Sequence, residues 1–404
     1  MPVYYQSAIG GTDADWSFTQ TAAALVIALL SPLLGAIADH MGNKVGFLRL
    51  FTVLGSIASV CLAFTGAGDV WLASILVVAG MIGFGSANTF YDALLNDITS
   101  PAERDKVSAR GYAMGYLGGG VLLTINLTMI MKYEWFGLPD GAAATRISFV
   151  MVGVWWLLFS IPLLKHVKEA PVPVRGKVMG HVWVGFRRLG ETFTQLKDYP
   201  ELLKFMVSFW FFSNGIGTII VMAASYGKTI GIEDTHLIAA LLITQFVGFP
   251  ATVVFGKFAH RFGGKKMLYG SLLTYLVIVI MGYFMQNATH FFILASLVGL
   301  VQGGSQAIAR AMFSRLIPNG RTAEYNGFLS ASTRFFSFGG PLVFGLVKVI
   351  SDSSRAAILA VAVFFIVGIV LLYFVNLAKG EREAGEGPAG PRIIVPPEQQ
   401  IPHI

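Results

Sequence analysis

Eleven stretches of apolar residues, parted by short polar turns, decide what this chain can fold into. They run approximately over 16–38, 45–66, 71–95, 110–131, 147–164, 203–224, 237–258, 267–286, 291–313, 327–350 and 356–377. A helix rises about 1.5 Å per residue, so about 20 residues cross a hydrocarbon core of roughly 30 Å. Glycines and prolines fall inside several runs, which membrane helices tolerate. Packing eleven such helices into a water-soluble core would need polar cover that the chain lacks. Only 13% of its residues are charged, about half of the roughly 25% usual for soluble domains. The mean hydropathy of +0.67 agrees. One cysteine, Cys61, excludes an internal disulfide. The chain reads as an all-α polytopic membrane protein.

Lys and Arg set the orientation of such a protein. One set of loops, with the tail, carries 22 of them, including Lys44, Arg104, Lys165, Lys257 and Arg321. The alternate loops carry only Lys132, Arg146, Lys228, Lys348 and Arg355. The first set is therefore expected in the cytoplasm, with the C-terminus. The net charge of +7 then serves topology, and no nucleic-acid partner is implied.

The reading divides the chain into helical bundles at 1–165 and 203–378, a linker at 166–202 and a disordered tail at 379–404. Within the linker, Val182, Phe186, Leu189, Phe193 and Leu196 recur at helical spacing opposite Arg187, Arg188 and Glu191. A helix along the inner membrane surface and a mobile linker both fit this pattern. The tail is rich in Pro, Gly and Glu.

The two bundles echo each other. Gly35-Ala-Ile-Ala-Asp39-His-Met-Gly42-Asn-Lys44 parallels Gly256-Lys-Phe-Ala-His260-Arg-Phe-Gly263-Gly-Lys-Lys266. Gly85-Ser86 parallels Gly304-Ser305, and Ser108-Ala-Arg110 parallels Ser332-Thr-Arg334. Three landmarks in one order at nearly one offset, about 220 residues, indicate a duplicated bundle, as in secondary transporters.

The loop with Gly35, Asp39, Gly42 and Lys44 resembles the signature loop of the major facilitator superfamily, and Gly256 and Gly263 mark its second copy. Its glycines suit a tight turn between close helices, and Asp39 can sit at a neighbouring helix N-terminus. Phe90-Tyr-Asp92-Ala-Leu-Leu-Asn-Asp97-Ile, Ser108-Ala-Arg110-Gly-Tyr-Ala-Met-Gly-Tyr-Leu-Gly-Gly and Gly299-Leu-Val-Gln302-Gly-Gly-Ser-Gln306, with Leu316-Ile-Pro318, resemble its vacuole-effluxer-like branch. Fungal members of that branch are autophagy-related amino-acid exporters. The resemblance covers roughly 1–378 and implies two pseudo-symmetric bundles of six helices. Eleven spans are then present of an expected twelve. The first helix is missing, with its end falling where the chain begins, and a misassigned start or a genuine truncation is expected. His260 replaces the acid expected in the second signature loop, which implies a weaker latch in that half.

Ionisable residues at membrane depth are costly and mark function by default. Of the 22 acids, Asp92 alone lies inside an apolar run, one turn from Asn88 on the same face. Gln302, Gln306 and Arg310 form a stripe at helical spacing, and Asn214 lies near a midplane. The resemblance places these residues on the fourth, seventh and tenth helices of twelve, which line a central cavity. Asn88, Asp92, Asn214, Gln302 and Gln306 are the candidate cavity residues. Asp92, with Arg310 or Arg334, and with Arg110 nearby, is the candidate cytoplasmic gate. Plainer readings stand beside these: Asp92 as an interfacial charge, and Asn214, Gln302 and Gln306 as interhelical hydrogen-bond glue. Gly111, Gly115 and Gly119 are expected to be close-packing positions.

The function expected is secondary active transport of a small solute by alternating access, with amino-acid efflux implied by the resemblance and protons as a candidate coupling ion. A non-transporting receptor or scaffold is the alternative. An enzyme is not expected: Ser305, in the sequence nearest to a nucleophile elbow, sits mid-helix, without the final Gly of that motif and without a membrane-depth His. No phosphate-binding loop supports an ATP-driven pump. The seven His lie in loops or the tail without metal-ligand spacing, so no metal or cofactor is expected. A monomer in a bacterial inner membrane completes the expectation.

Overall fold

The computed structural model describes residues 4–5, 8–167, 169, 194–337 and 339–386. Of the candidate surface helix, Val182, Phe186, Leu189 and Phe193 lie outside the described residues, and Leu196 opens a short 3-10 turn, Leu196–Asp198. The helices are α1 Asp13–Met41, α2 Lys44–Cys61, α3 Val70–Ile98, α4 Arg104–Met131 and α5 Gly141–His166 in the first half. The second half holds α6 Pro200–Thr229, α7 Asp234–Phe262, α8 Gly264–Tyr283, α9 Ala288–Leu316 and α10 Thr322–Phe336. It continues with α11 Gly339–Ser351, α12 Ser354–Ala360, α13 Ala362–Tyr373 and α14 Leu377–Glu386. Among the described residues, eleven helical spans are long and apolar enough to cross a membrane; α10 with α11 form one and α12 with α13 another.

The apolar side chains sort by solvent. Phe205, Phe313, Tyr275 and Phe365 are buried in the core of the second half, and the Tyr275 and Phe365 rings stack at 5.1 Å. In the first half, Phe47 and Phe51 pack on Phe90. Trp71, Leu29 and Ile350 point outward, as they do where lipid is the solvent. Prolines fall inside α1, α5 and α7, at Pro32, Pro162 and Pro250.

Both signature loops turn at a glycine with positive φ, 58° at Gly42 and 91° at Gly263. These two turns define one end of the molecule, called here the signature end. The other signature glycines have a different use. A Cβ on Gly35 would lie 2.2 Å from the Ala323 carbonyl oxygen of α10. One on Gly256 would lie 2.4 Å from Ala109 Cβ of α4. The halves thus meet along two seams, α1 on α10 and α4 on α7, each with a signature glycine at its tightest point.

The tail departs from expectation. Residues 377–386 form the helix α14, where disorder was expected from 379 onward. Glu201 explains it: its buried carboxylate accepts the Asn376 N–H at 2.7 Å and holds Lys379 at 3.7 Å. Gly380 lets α14 lie against Leu316.

Candidate functional site

The two halves are joined by charge at the signature end, in two tiers. Arg310 of α9 sets its Nε 2.8 Å from Asp92 Oδ1 of α3. Its Nη2 donates to the Tyr91 carbonyl at 2.9 Å, and its guanidinium covers the Tyr91 ring at 4.5 Å. Asp92 and Arg310 each lie six residues from their helix ends, about 9 Å in. Nearer the end, Arg315 Nη2 donates to buried Asp105 at 2.7 Å. Backbone carbonyls complete the tiers: Ser314 accepts from Asn96 and Arg104 at 3.0 Å, and Ala307 accepts from Ser108 at 2.8 Å.

Beside this gate lies a latch. The Asp39 carboxylate is buried and accepts the Glu324 N–H at 2.8 Å, at the start of α10. A carboxylate there meets the positive end of the helix dipole. Lys44 stands 3.6 Å from Asp39 and 2.8 Å from Asp97. Both oxygens of Glu169 accept the first N–H groups of α2, from Lys44 at 2.7 Å and Val45 at 2.8 Å. On the other half, Arg321 pairs with the buried Glu324 carboxylate and with Gln195. Burial works against the Arg321 charge, but the hydrogen bond and charge of Glu324 outweigh it and hold its pKa above the ordinary value. The residues that open and close the 170–193 linker segment are therefore both tied to this latch.

The second seam inverts the pattern. His260 stands where the first half has Asp39, and the acid comes from across the seam instead: Asp105, close to His260, sits at the start of α4. A Cβ on Gly264 would lie 3.4 Å from Asp105 Oδ1, so this carboxylate also faces the start of α8.

The other expected site residues divide. Gln302 lies against the Tyr116 hydroxyl of α4, and Gln306 is partly exposed one turn from Arg310. Asn88 is exposed, one turn from Asp92. Asn214 is occupied within its own half: its Nδ2 donates to the Trp210 carbonyl at 2.8 Å, and its Oδ1 accepts the Gly340 N–H at 3.2 Å. The glue reading describes it. Arg334 does not reach Asp92. It lies beside Gly85 and Ile27, far deeper than the gate. Arg110 is exposed, with no ion pair among the described residues. The glycine stripe of α4 divides: a Cβ on Gly111 would lie 2.8 Å from the Tyr91 hydroxyl and one on Gly119 3.2 Å from Gln245 Nε2, as close packing requires, whereas one on Gly115 would meet nothing within 4 Å.

Sequence reasoning missed Asp105, Arg315, Glu324, Arg321 and Glu169. All sit at helix ends, where a charge reads as solvated. The available signal was an acid in the first turn of α4 and a base in the last turn of α9, the positions that meet when two bundles close.

Comparison with known proteins agrees with this architecture. The family described as "Vacuole effluxer Atg22 like" matches residues 16–103 and 96–385. A Bacillus subtilis protein described as the uncharacterized MFS-type transporter YxiO is 35% identical over 383 residues, covering 93% of this chain and 89% of that protein. Autophagy-related protein 22-1 of Aspergillus clavatus is 23% identical, covering 91% of this chain and 74% of its own length. Among solved structures, the Escherichia coli fucose:proton symporter FucP superposes with a TM-score of 0.68 at 13% identity, over 93% of both chains. The proton:xylose symporter XylE gives 0.69 at 16% identity, over 89% of this chain and 86% of that one. These structures share the fold.

Proposed function

The chain belongs to the vacuole effluxer Atg22-like family, a transporter family of the major facilitator fold and not an enzyme family, and on that premise we propose that it is a secondary active transporter working by alternating access. One observation carries the reading: among the described residues the ion pairs between the halves gather at one end, in two tiers beside one helix-end latch. Such contacts hold one face shut and leave rigid bundles able to rock apart there. Ion pairs taken partly out of water suit this use. Their net stability is small, because desolvation offsets attraction, yet they choose between states.

The excess of Lys and Arg makes the signature end cytoplasmic in this reading, so the arrangement is the outward-facing one. The bilayer is a bacterial cytoplasmic membrane, and the protein acts there as a monomer. The solute is small, with amino acids leaving the cell as the first class to test. The description of the matching family as vacuole effluxers supports an outward direction. A proton is the proposed coupling ion, and the titratable group at the gate is Asp92.

The experiment is counterflow in proteoliposomes, loaded with one unlabelled amino acid at a time and offered the labelled form. Saturable accumulation supports transport, and uptake into solute-free proteoliposomes that follows an imposed pH gradient and vanishes with a proton ionophore supports proton coupling. Accumulation no better than in empty liposomes across a panel of amino acids and sugars overturns it in favour of a receptor or scaffold.

A further inference from the structure

The arginines between the two halves are not alike. Arg310 and Arg315 each hold a carboxylate, and Arg104 donates to a carbonyl. Arg334 has neither. Among the described residues no carboxylate pairs with it, and its Nε is buried without a hydrogen-bond partner. Ten residues separate it from Glu324, whose N–H meets Asp39 at the signature end. That spacing puts Arg334 about 15 Å along α10, near the middle of a hydrocarbon core of about 30 Å. A lone cation at that depth is expensive, and where one persists it marks a ligand.

Its surroundings are shaped for it. A Cβ on Gly85 would lie 2.9 Å from Arg334 Nη2 and 2.9 Å from Ile27 Cγ2. The guanidinium, from the second half, thus occupies room left by a glycine between α1 and α3 of the first. The neighbouring turns of α10 are braced from behind: Trp210 Nε1 donates to the Ser332 hydroxyl at 3.0 Å, and its ring stacks on Phe336 at 4.6 Å. Arg334 remains partly exposed.

We propose that Arg334 is the anion-binding residue of the translocation path and that the transported solute offers it a carboxylate. This inference rests on the transporter reading above. The forked N–H donors of a guanidinium match a carboxylate in two parallel hydrogen bonds. One guanidinium neutralises one charge, and Ile27 and Gly85 beside it are neutral. A monoanion fits this site, whereas a phosphate dianion would keep a charge unmet. A carboxylate held here lies between a cation of one half and helices of the other, so its binding favours the state in which the halves enclose it.

The test is thermal unfolding of the full-length protein in detergent at fixed ionic strength. The probes are L-leucine, sodium L-lactate, L-leucinamide, D-xylose, sodium chloride and sodium phosphate. Leucine and lactate are expected to raise the midpoint, and the other four are not. Arg334→Gln is expected to weaken the carboxylate effect at least tenfold while melting no lower than the parent without ligand, because an unpaired desolvated charge has gone. Arg334→Lys, which keeps a charge without the fork, is expected to fall between and covers the case in which the Gln variant does not fold. A carboxylate shift that survives Arg334→Gln, an equal shift with chloride or phosphate, or no carboxylate shift in the parent each overturns the proposal. Counterflow separates the two readings. Carboxylate binding lost in Arg334→Gln, without flux in the parent, upholds the site and removes transport. Saturable xylose or leucinamide flux untouched by Arg334→Gln upholds transport and removes the carboxylate site.

Discussion

Arg310 crosses from the second half of the chain to the first and places its Nε 2.8 Å from Oδ1 of Asp92. The arginine is nearly buried and the aspartate about one-third exposed, so water reaches the pair from the aspartate side. Its Nη2 bond to the Tyr91 carbonyl would survive loss of the carboxylate charge. The pair therefore biases a state more than it holds the fold.

Asp92→Asn is expected to shift the equilibrium away from signature-end closure by about 1–3 kcal/mol, roughly 5- to 150-fold. With Cys61 replaced by Ser, a Gln306→Cys label site one turn from Arg310 reports the change. Labelling by a membrane-impermeant thiol reagent applied to the signature face should accelerate. An unchanged rate, with unchanged flux and pH profile, makes Asp92 an interfacial charge and nothing more.

Asp39 acts on a helix end, so its variants should be graded. Asp39→Ala removes the acceptor for the Glu324 N–H and leaves buried Lys44 with Asp97 alone. A lost cap and dipole partner is worth about 1–2 kcal/mol. Asp39→Asn keeps an acceptor and should lose less than half of that. Denaturant unfolding in mixed micelles measures both. Equal losses would mean that the charge, not the cap, is what matters.

The spans and the pseudo-repeat were legible because apolar length and glycine spacing are written locally. The Asp92–Arg310 pair was legible because a lone acid at membrane depth asks for a partner. Arg334 was not, because its sequence position beside an aromatic-glycine run copies Arg110 while its depth in the fold does not. Asn214 read as a cavity residue because a midplane amide looks the same whether it meets solute or, as here, the Gly340 N–H. The tail helix was hidden because its composition suits a solvated chain, and its order comes from Glu201, 175 residues away from Asn376. Interhelical partners at such separations have no local signature.

Glycine variants distinguish a seam from an open face. Alanine is intrinsically favoured over glycine inside a helix by about 0.8–1 kcal/mol. Gly115→Ala, with nothing within 4 Å of the new Cβ, should gain most of that in thermal stability. Gly35→Ala puts its Cβ 2.2 Å from the Ala323 carbonyl oxygen and should instead lose about 1–3 kcal/mol from overpacking. It should also raise Gln306→Cys labelling, because the clash exists only while α1 and α10 are closed. Stabilisation by Gly35→Ala would mean that this seam does not form.

The tail helix joins packing to charge, and two substitutions separate them. Gly380 sits where a Cβ would lie 2.3 Å from Leu316 Cδ2 and 3.0 Å from Glu201 Cβ, so Gly380→Leu should lift α14 off α6 and α9. Overpacking of this kind is worth about 1–3 kcal/mol, and it also deprives the buried Glu201 carboxylate of the Asn376 N–H and Lys379. Glu381, by contrast, stands 3.9 Å from Arg315 and is nearly half exposed. An exposed pair contributes about 0–1 kcal/mol, so Glu381→Gln should leave the fold almost unchanged. Arg315 would then keep Asp105 as its ion-pair partner, and closure should become less sensitive to salt. Limited trypsin digestion at Lys379 and Arg382 reads the first effect, since cleavage requires the helix to open. Cleavage should quicken at least tenfold in Gly380→Leu and stay at the parental rate in Glu381→Gln. Rapid cleavage in the parent chain would show that α14 is not docked.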